Sequence, residues 1–415
     1  MNQPLRQPQV AALLKSLAVP GLSESLADAR KAERFSLLEQ ICQKLEPTLS
    51  QDQLAQDAYE AVGGWLAESD DPLISDALIY PHGSRALGTT IKPIGRTEHD
   101  VDTVYKVPQL TSSTPPAALK KAIGDRLRAH KRYAGMLEEK RRCWRLNYAG
   151  EFHLDITPSI PNSACLNGGE LVPDRELRDW KPTNPQGYRD LFIYRAALVP
   201  RMRMLKSTTT ADSRGELVPF PERSEIKGVL RRTVQLLKRH RDIYYDRGDQ
   251  SLAPLSIIIT TLAARSYEYC VKNFEHDSEY DLLCNTVRLM PVFIESEVHG
   301  GHRYWFVWNE TTAGENFAEK WNDEPARERA FRAWHEQAVA DFDSLLELEG
   351  LDQLAKSLRS SLGDQPVIAT MDERRASISA ARVARSLGVT AAAGLVTSAA
   401  GATPVRGHTF YGAPE

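Results

Sequence analysis

A chain of 415 residues with 42% hydrophobic, 26% charged and 8% aromatic residues has the composition of a folded protein with sizeable cores, which excludes disorder throughout and a fibrous repeat. Its 52 Lys and Arg nearly balance 55 Asp and Glu, a net charge of -3, so no global field holds a polyanion and any nucleotide must be met by a local patch. Five scattered cysteines (Cys42, Cys143, Cys165, Cys270, Cys284) form no C-x-x-C or Cys/His cluster, and no stretch approaches the ~18 apolar residues of a membrane span; zinc ribbon, disulfide framework and membrane partner are not expected, and the chain reads as cytoplasmic.

Residues 1–70 carry apolar residues at mixed three and four spacing, broken by Pro20-Gly21, and read as amphipathic helices. From Leu73 the texture changes to short runs rich in Val, Ile, Tyr, Trp and Thr: "LISDALIYP", "HDVDTVYKV" and "RCWRLNYAGEFHLDITPSIP", the last with a turn at Ala149-Gly150. These predict a small sheet, with a helical stretch around 117–139 between its strands. Helical signals return from about 187 and dominate to 360, including a helix from Glu225 to Tyr245 for which Ser224 is a candidate N-cap. Beyond Met371 only Phe410 and Tyr411 are aromatic and 389–403 is rich in Ala, Gly, Ser and Thr, so a mobile tail is expected. The expected units are 1–215, N-terminal helices with the sheet; 216–370, a helical lobe; and 371–415, the tail.

Two pieces near the start of the sheet carry chemistry. In "HDVDTVYKV", Asp100 and Asp102 are i and i+2 on a strand and share a face, while Val101 and Val104 can point elsewhere. Adjacent carboxylates repel unless a cation joins them, and Mg2+ is commonly held by one or two carboxylates plus substrate phosphates. Asp155 in "FHLDITP" is an acid framed by Leu154 and Ile156, a third carboxylate from a neighbouring strand. In "HGSRALGTTI", Gly83 and Ser84 follow the strand ending at Tyr80, where glycine admits close backbone approach and a hydroxyl with free amides can hold phosphate oxygens. Singly, each motif is also an ordinary strand edge, turn or cap; their order gives them joint meaning.

That order, "GSRALGTTI", "HDVDTVY", "FHLDITP", resembles the DNA polymerase β-type nucleotidyltransferases. The continuation "DWKPTNPQGYRDLF", "VQLLKRHRDIYY", "APLSIIITTLAA" and "ENFAEKW" resembles one branch of them across residues 75–325, the bacterial cyclic-oligonucleotide synthases known as CD-NTases, relatives of cyclic GMP–AMP synthase and oligoadenylate synthase. The longer gap between Ser84 and Asp100 suggests an extended loop. The resemblance implies an α/β (α+β) fold, a polymerase β-like sheet with flanking helices and a C-terminal helical lobe, with the active site in the cleft between them. It implies Mg2+ (or Mn2+) on Asp100, Asp102 and Asp155, NTP substrates with ATP among them, and donor phosphates gripped by Gly83 and Ser84. The product would be a cyclic di- or trinucleotide messenger of anti-phage (CBASS) signalling, read by a downstream effector. Rival readings are a nucleotidyltransferase acting on an RNA end or protein hydroxyl, and a catalytically silent nucleotide sensor.

At 100° per residue, Lys227, Arg231, Lys238 and Arg241 fall within roughly 40° of one direction, away from Val229, Leu236 and Leu237, as a basic stripe facing a triphosphate. By the resemblance Lys238 holds phosphate; Ser256, opening an apolar helix, is a second contact unless it caps or back-bonds. The run Lys120–Arg145 has ten basic residues against three acids and reads as a solvated helix face or a polyanion contact, so nucleic acid is possible without being indicated. His82, His99 and His153 flank the acids as packing groups or outer partners. Trp144, Trp180, Tyr188 and Tyr304 are open between base stacking and core, and Asn184 fixes an Asx-turn in an ordered loop. The resemblance also implies partner proteins that conjugate the tail through Gly412 or the terminal residues.

Overall fold

The computed structural model describes residues 24–95, 98–174, 176–203, 227–390, 394–396 and 403–405. Helices α1 (Glu24–Leu45) and α2 (Leu49–Ala67) occupy the expected N-terminal helical stretch. Thr48 starts α2 with a reciprocal cap: its side chain accepts from the Gln51 amide, and the Gln51 side chain accepts from the Thr48 amide. Pro20-Gly21 lies outside the described residues.

The strand-like runs form the sheet. Strand β1 (Leu78–His82) leads into the short helix α3 (Gly83–Leu87), then β2 (His99–Lys106), helix α4 (Pro116–Ala129), β3 (Leu137–Glu139), β4 (Trp144–Tyr148), β5 (Phe152–Pro161), β6 (Glu170–Pro173) and β7 (Trp180–Thr183). The seven strands run in the order β1-β2-β5-β4-β3, with β6 pairing β5 and β7. The central pair β2 and β5 is parallel, a pairing that needs a crossover, and α4 lies in that connection with Leu119, Ile123 and Leu127 in the same core as Val101, Leu146 and Leu154. Trp144 belongs to this core, 2% exposed, with its Nε1 donating to the Lys120 carbonyl at 2.7 Å. A Cβ at Gly124 would stand 2.2 Å from its ring, so α4 approaches the sheet this closely only with glycine there.

The second lobe is helical: α5 (Pro185–Ala196), α6 (Gly228–Asp246), α7 (Ser256–Asn273) and α8 (Glu279–Leu289), a hairpin β8 (Glu295–His299) and β9 (His302–Phe306), then α9 (Ala326–Ser344), α10 (Leu351–Leu362) and α11 (Asp364–Val383). Two expected boundaries move. Phe35, Leu38 and Ile41 of α1 share a core with Leu237, Leu262 and Trp334, so α1 packs in the helical lobe, and Phe192 takes α5 there too; of the two N-terminal helices, α2 alone joins the sheet. The unit expected as 1–215 is thereby divided. The expected start of a tail at 371 falls inside α11, where Val367, Thr370 and Met371 are buried and Arg374 donates to Gln40 of α1 at 2.6 Å. Ala-rich and Ser-rich sequence buries little per residue, yet these few spaced side chains suffice to dock the helix. Phe410, Tyr411 and Gly412 lie outside the described residues, as does Ser224; α6 begins at Gly228, whose φ of +70° follows Lys227 at the cap.

All five cysteines are free, and no helix among the described residues is long and apolar enough to cross a membrane.

Candidate active site

The site grows from the end of β1. Gly83 has φ +65°, and a Cβ built on it would lie 2.1 Å from Asp102 Oδ2, so the turn into α3 closes onto this carboxylate only because the residue is glycine. Gly88, at φ +70°, ends α3 in the left-handed conformation. The Ser84 hydroxyl lies 3.3 Å from that of Thr90. The long segment before β2 is bound by α6: Lys238 Nζ donates to the Thr89 carbonyl at 2.9 Å, Gln235 to Thr90 at 3.1 Å and Arg239 to Lys92 at 2.6 Å.

Alternation along β2 puts Asp100 and Asp102 on the partly open face while Val101 and Thr103 are buried on the other. Val104 has the aspartates' parity and is nevertheless buried, 1% exposed. Register brings in the third acid, because Asp102 sits opposite Asp155 on β5. Burial pushes the Asp102 carboxyl above its ordinary value; the neighbouring charge of His82 works against this shift, and Asp100 and Asp155 add to it.

The sequence pattern missed Arg145. It stands opposite Asp155 on β4, and its Nε and Nη2 hold the two Asp155 oxygens, each at 2.7 Å, while Nη2 also reaches Asp100 Oδ1 at 3.1 Å. His153 Nδ1 lies 3.4 Å from Asp100 and 3.2 Å from Arg145, which makes it an outer partner of the acids. The basic run is therefore not a uniform solvated face. Lys120 is buried and pairs with Glu139 at 2.8 Å, Arg126 stacks on Trp65 at 3.6 Å, and Arg145 turns into the acidic site.

A cavity of about 500 Å³ lies between the lobes. Gly83, Ser84, Asp100 and Asp102 line it from the sheet side and Lys238, Arg241 and Ser256 from the helical side; Asp155 does not line it. Burial, with Arg241 next, pushes Lys238 down to about 8, against the opposing pull of Asp242 and Asp102. Ser256 makes no cap; its hydroxyl accepts from Arg241 at 2.9 Å. Of the four-residue basic stripe only Lys238 and Arg241 reach the cavity, since Lys227 pairs with Glu46 at 2.9 Å and Arg231 donates to the Leu87 carbonyl at 2.9 Å. Both directions off α6 are occupied, because it runs through the lobe with Arg232, Arg239 and His240 buried alongside its apolar residues.

Of the four aromatics left open, Tyr188 alone lines the cavity, its ring edge-on to Phe317 and its hydroxyl 2.9 Å from that of Thr261. Trp144 is core, Trp180 donates to the Thr114 carbonyl, and Tyr304 is on the hairpin β8–β9. Asn184 caps α5, accepting from Gly187 at 2.9 Å, and lines the cavity with Thr183. His82 and His99 also line it.

Among the described residues no group of three His, Cys, Asp or Glu side chains converges as a ready-made metal site. The acids fit a divalent cation in another way: Asp100 and Asp102 offer two same-face carboxylates, one of them made reluctant to ionise by burial and like charge, while Arg145 engages the third. Two carboxylates completed by substrate phosphates are a common way of holding Mg2+.

Residues 34–193 match the family described as Second Messenger Oligonucleotide or Dinucleotide Synthetase domain. A c-di-GMP synthase of Roseivirga ehrenbergii is 32% identical over 86% of this chain and 91% of its own length. Cyclic dinucleotide synthase CdnG of Bradyrhizobium diazoefficiens is 27% identical over 46% of this chain and 49% of its own. The CdnG structure in complex with GTP superposes with a TM-score of 0.62 at 19% identity, covering 82% of this chain and 97% of that one. CdnC of E. coli MS115-1 with ATP gives 0.56 at 13%, covering 79% and 97%. The sheet with its flanking helices and helical lobe is the polymerase β-like fold of these enzymes, and the chain belongs to the CD-NTase family of nucleotidyltransferases.

Proposed function

We propose that the protein joins nucleoside triphosphates into a cyclic dinucleotide with release of pyrophosphate, using guanine nucleotides, as the messenger-forming step of anti-phage (CBASS) signalling. The observation that carries this reading is a single cavity bounded by the Asp100 and Asp102 carboxylates, Gly83 and Ser84 on one side and by Lys238 and Ser256 on the other. The choice of substrate is supported by the relatives, one named a c-di-GMP synthase and another solved with GTP.

In this reading Asp100 and Asp102 hold Mg2+ (Mn2+ substituting), with Asp155 completing the acidic set. A cation held there would supply charge neutralisation at the reacting phosphate and a more acidic acceptor ribose hydroxyl. The chain's own groups orient the rest. Lys238, Ser84 and Ser256 hold the β- and γ-phosphates so that the hydroxyl meets the α-phosphorus in line. Tyr188 offers a face or edge to a base. Asp155 lies opposite Asp102, outside the cavity lining and with both oxygens on Arg145, so it takes the proton of the hydroxyl only by giving up one of those bonds and turning toward the cavity.

The test is incubation with four α-labelled NTPs and Mg2+ or Mn2+, followed by phosphatase and chromatography. A phosphatase-resistant dinucleotide labelled from GTP is expected. Label retained on added RNA or protein, with no small product, would overturn the reading in favour of a macromolecular acceptor.

Lys238 adds a pH signature. Only its ammonium form attracts phosphate, and burial pushes it down to about 8, so the free protein loses that charge as pH rises through this value. Affinity for a non-hydrolysable NTP is expected to be level below about pH 7 and to fall above about pH 8. Lys238→Gln should bind about 10-fold more weakly at neutral pH, the loss of one charge-assisted hydrogen bond, and lose the fall. Calorimetric titration across pH checks both; an unchanged fall in the variant would remove Lys238 from the phosphate site.

A further inference from the structure

The cavity contains a carboxylate that neither the acidic set nor phosphate binding accounts for. Glu315 lines it, and its two hydrogen bonds come from neutral groups: Asn309 Nδ2 donates to Oε2 at 2.8 Å and Thr183 Oγ1 to Oε1 at 3.0 Å. Asn309 is 4% exposed and is itself fixed, its Oδ1 accepting from the Thr311 amide at 3.0 Å and the Thr311 hydroxyl at 2.7 Å. The Glu315 carboxylate is thus aimed, with one donor on each oxygen and a further acceptor position left on each. Burial raises its proton affinity, with the bonds from Asn309 and Thr183 and the more distant charge of Arg142 working against the shift. A carboxylate in a cavity for triphosphates repels the ligand unless the ligand brings donors to it. Tyr188 lies in the same wall with Phe317, so an aromatic surface and an aimed carboxylate face one ligand space.

Among the four bases, only guanine has two adjacent N–H donors on its Watson–Crick edge, N1–H and the 2-amino group, matching the two oxygens of one carboxylate. Adenine and cytosine have one amino donor beside a ring acceptor, and uracil one imide N–H between two acceptors. We propose that Glu315, held by Asn309 and Thr183, is the specificity residue that reads the guanine edge of a bound nucleotide. This rests on the nucleotidyltransferase reading of the cavity and extends it to the base. Sites built to hydrogen-bond a substrate donor reject analogues that lack it strongly.

The test uses the full chain and calorimetric binding of non-hydrolysable GTP, ITP and ATP analogues. ITP keeps N1–H and O6 and lacks the 2-amino group, so it removes one of the two donors without touching the protein. The wild type is expected to bind the GTP analogue about 10-fold or more tightly than the ITP or ATP analogues. Glu315→Gln has nearly the same shape and can pair with adenine, its amide oxygen accepting from the 6-amino group and its NH2 donating to N1. It is expected to erase the GTP/ITP difference and reverse the GTP/ATP preference. Glu315 also spans the lobes through Thr183, and a purely structural role would weaken all three analogues alike in Glu315→Gln; that result, or a wild type that binds ITP as well as GTP, overturns the proposal. A wild type that binds none of the three defeats the nucleotidyltransferase reading itself, which separates the two failures.

Discussion

Asp102→Asn is expected to lower dinucleotide formation by about 1000-fold or more while leaving the melting temperature unchanged or raised. A 1000-fold loss corresponds to about 4 kcal/mol of transition-state stabilisation, the scale on which a cation held at a reacting phosphate acts. Asp102 is the acid on which this loss should be largest. It touches the Gly83 turn, it is opposite Asp155, and burial together with Asp100 and Asp155 already disfavours its ionised form. Asparagine keeps the shape and removes that penalised charge, so the fold gains what the chemistry loses. Product formation from labelled GTP and a thermal melt of the same preparation check the two halves together. Near-wild-type activity would take Asp102 out of the reaction, and loss of activity with a collapsed melt would make its role structural.

What the sequence revealed about the site followed strand parity, and what it hid depended on register. Asp100 and Asp102 needed only a period of two within one strand, and the glycine after β1 needed only a strand-to-helix junction. Arg145 needed the hairpin count. With Ala149-Gly150 as a two-residue turn, Tyr148 would face Glu151 and Arg145 would face Leu154, putting Arg145 beside an apolar neighbour. The actual loop includes Glu151, with Gly150 at φ +80° and the Glu151 amide donating to the Tyr148 carbonyl, so Tyr148 pairs with Phe152 and Arg145 with Asp155. One residue of loop length moves the arginine onto the acids.

The lobes show the same limit at a larger scale. The 3.6-residue pattern marks α1 and α2 as helices, and nothing in either pattern says that Phe35, Leu38 and Ile41 meet Trp334 nearly three hundred positions on, whereas Val62 and Leu66 meet the sheet. The basic stripe of α6 failed for a related reason. A helix wheel separates charged from apolar residues, and it does not distinguish a charge facing the cavity from one tied to Glu46 or to the Leu87 carbonyl. Glu315 lay in plain view in "ENFAEKW" as an acid among acids, and only the bonds from Asn309 and Thr183 mark it as aimed.

Gly83→Ala is expected to cost about 100-fold in activity with a moderate fall in stability, and a second glycine separates the two causes. At φ +65° a non-glycine residue carries a backbone penalty of roughly 1–2 kcal/mol, and its Cβ would stand 2.1 Å from Asp102 Oδ2 and 2.9 Å from Asp102 Cγ. Either the carboxylate or the α3 turn must yield, and displacing a reacting group by ~1 Å is worth about 100-fold in rate. Gly88, at the other end of the same short helix, has φ +70°, and its Cβ would meet only the Arg231 side chain at 3.2 Å. Gly88→Ala therefore carries a similar backbone penalty without touching an acid. If the clash with Asp102 is the cause, Gly83→Ala loses its 100-fold while Gly88→Ala stays within a few-fold of wild type at a comparable drop in melting temperature. Equal losses in the two variants would trace the effect to strain in α3. Normal activity in Gly83→Ala would mean that Asp102 can move without consequence, and the reading of its carboxylate as the centre of the site would fall with it.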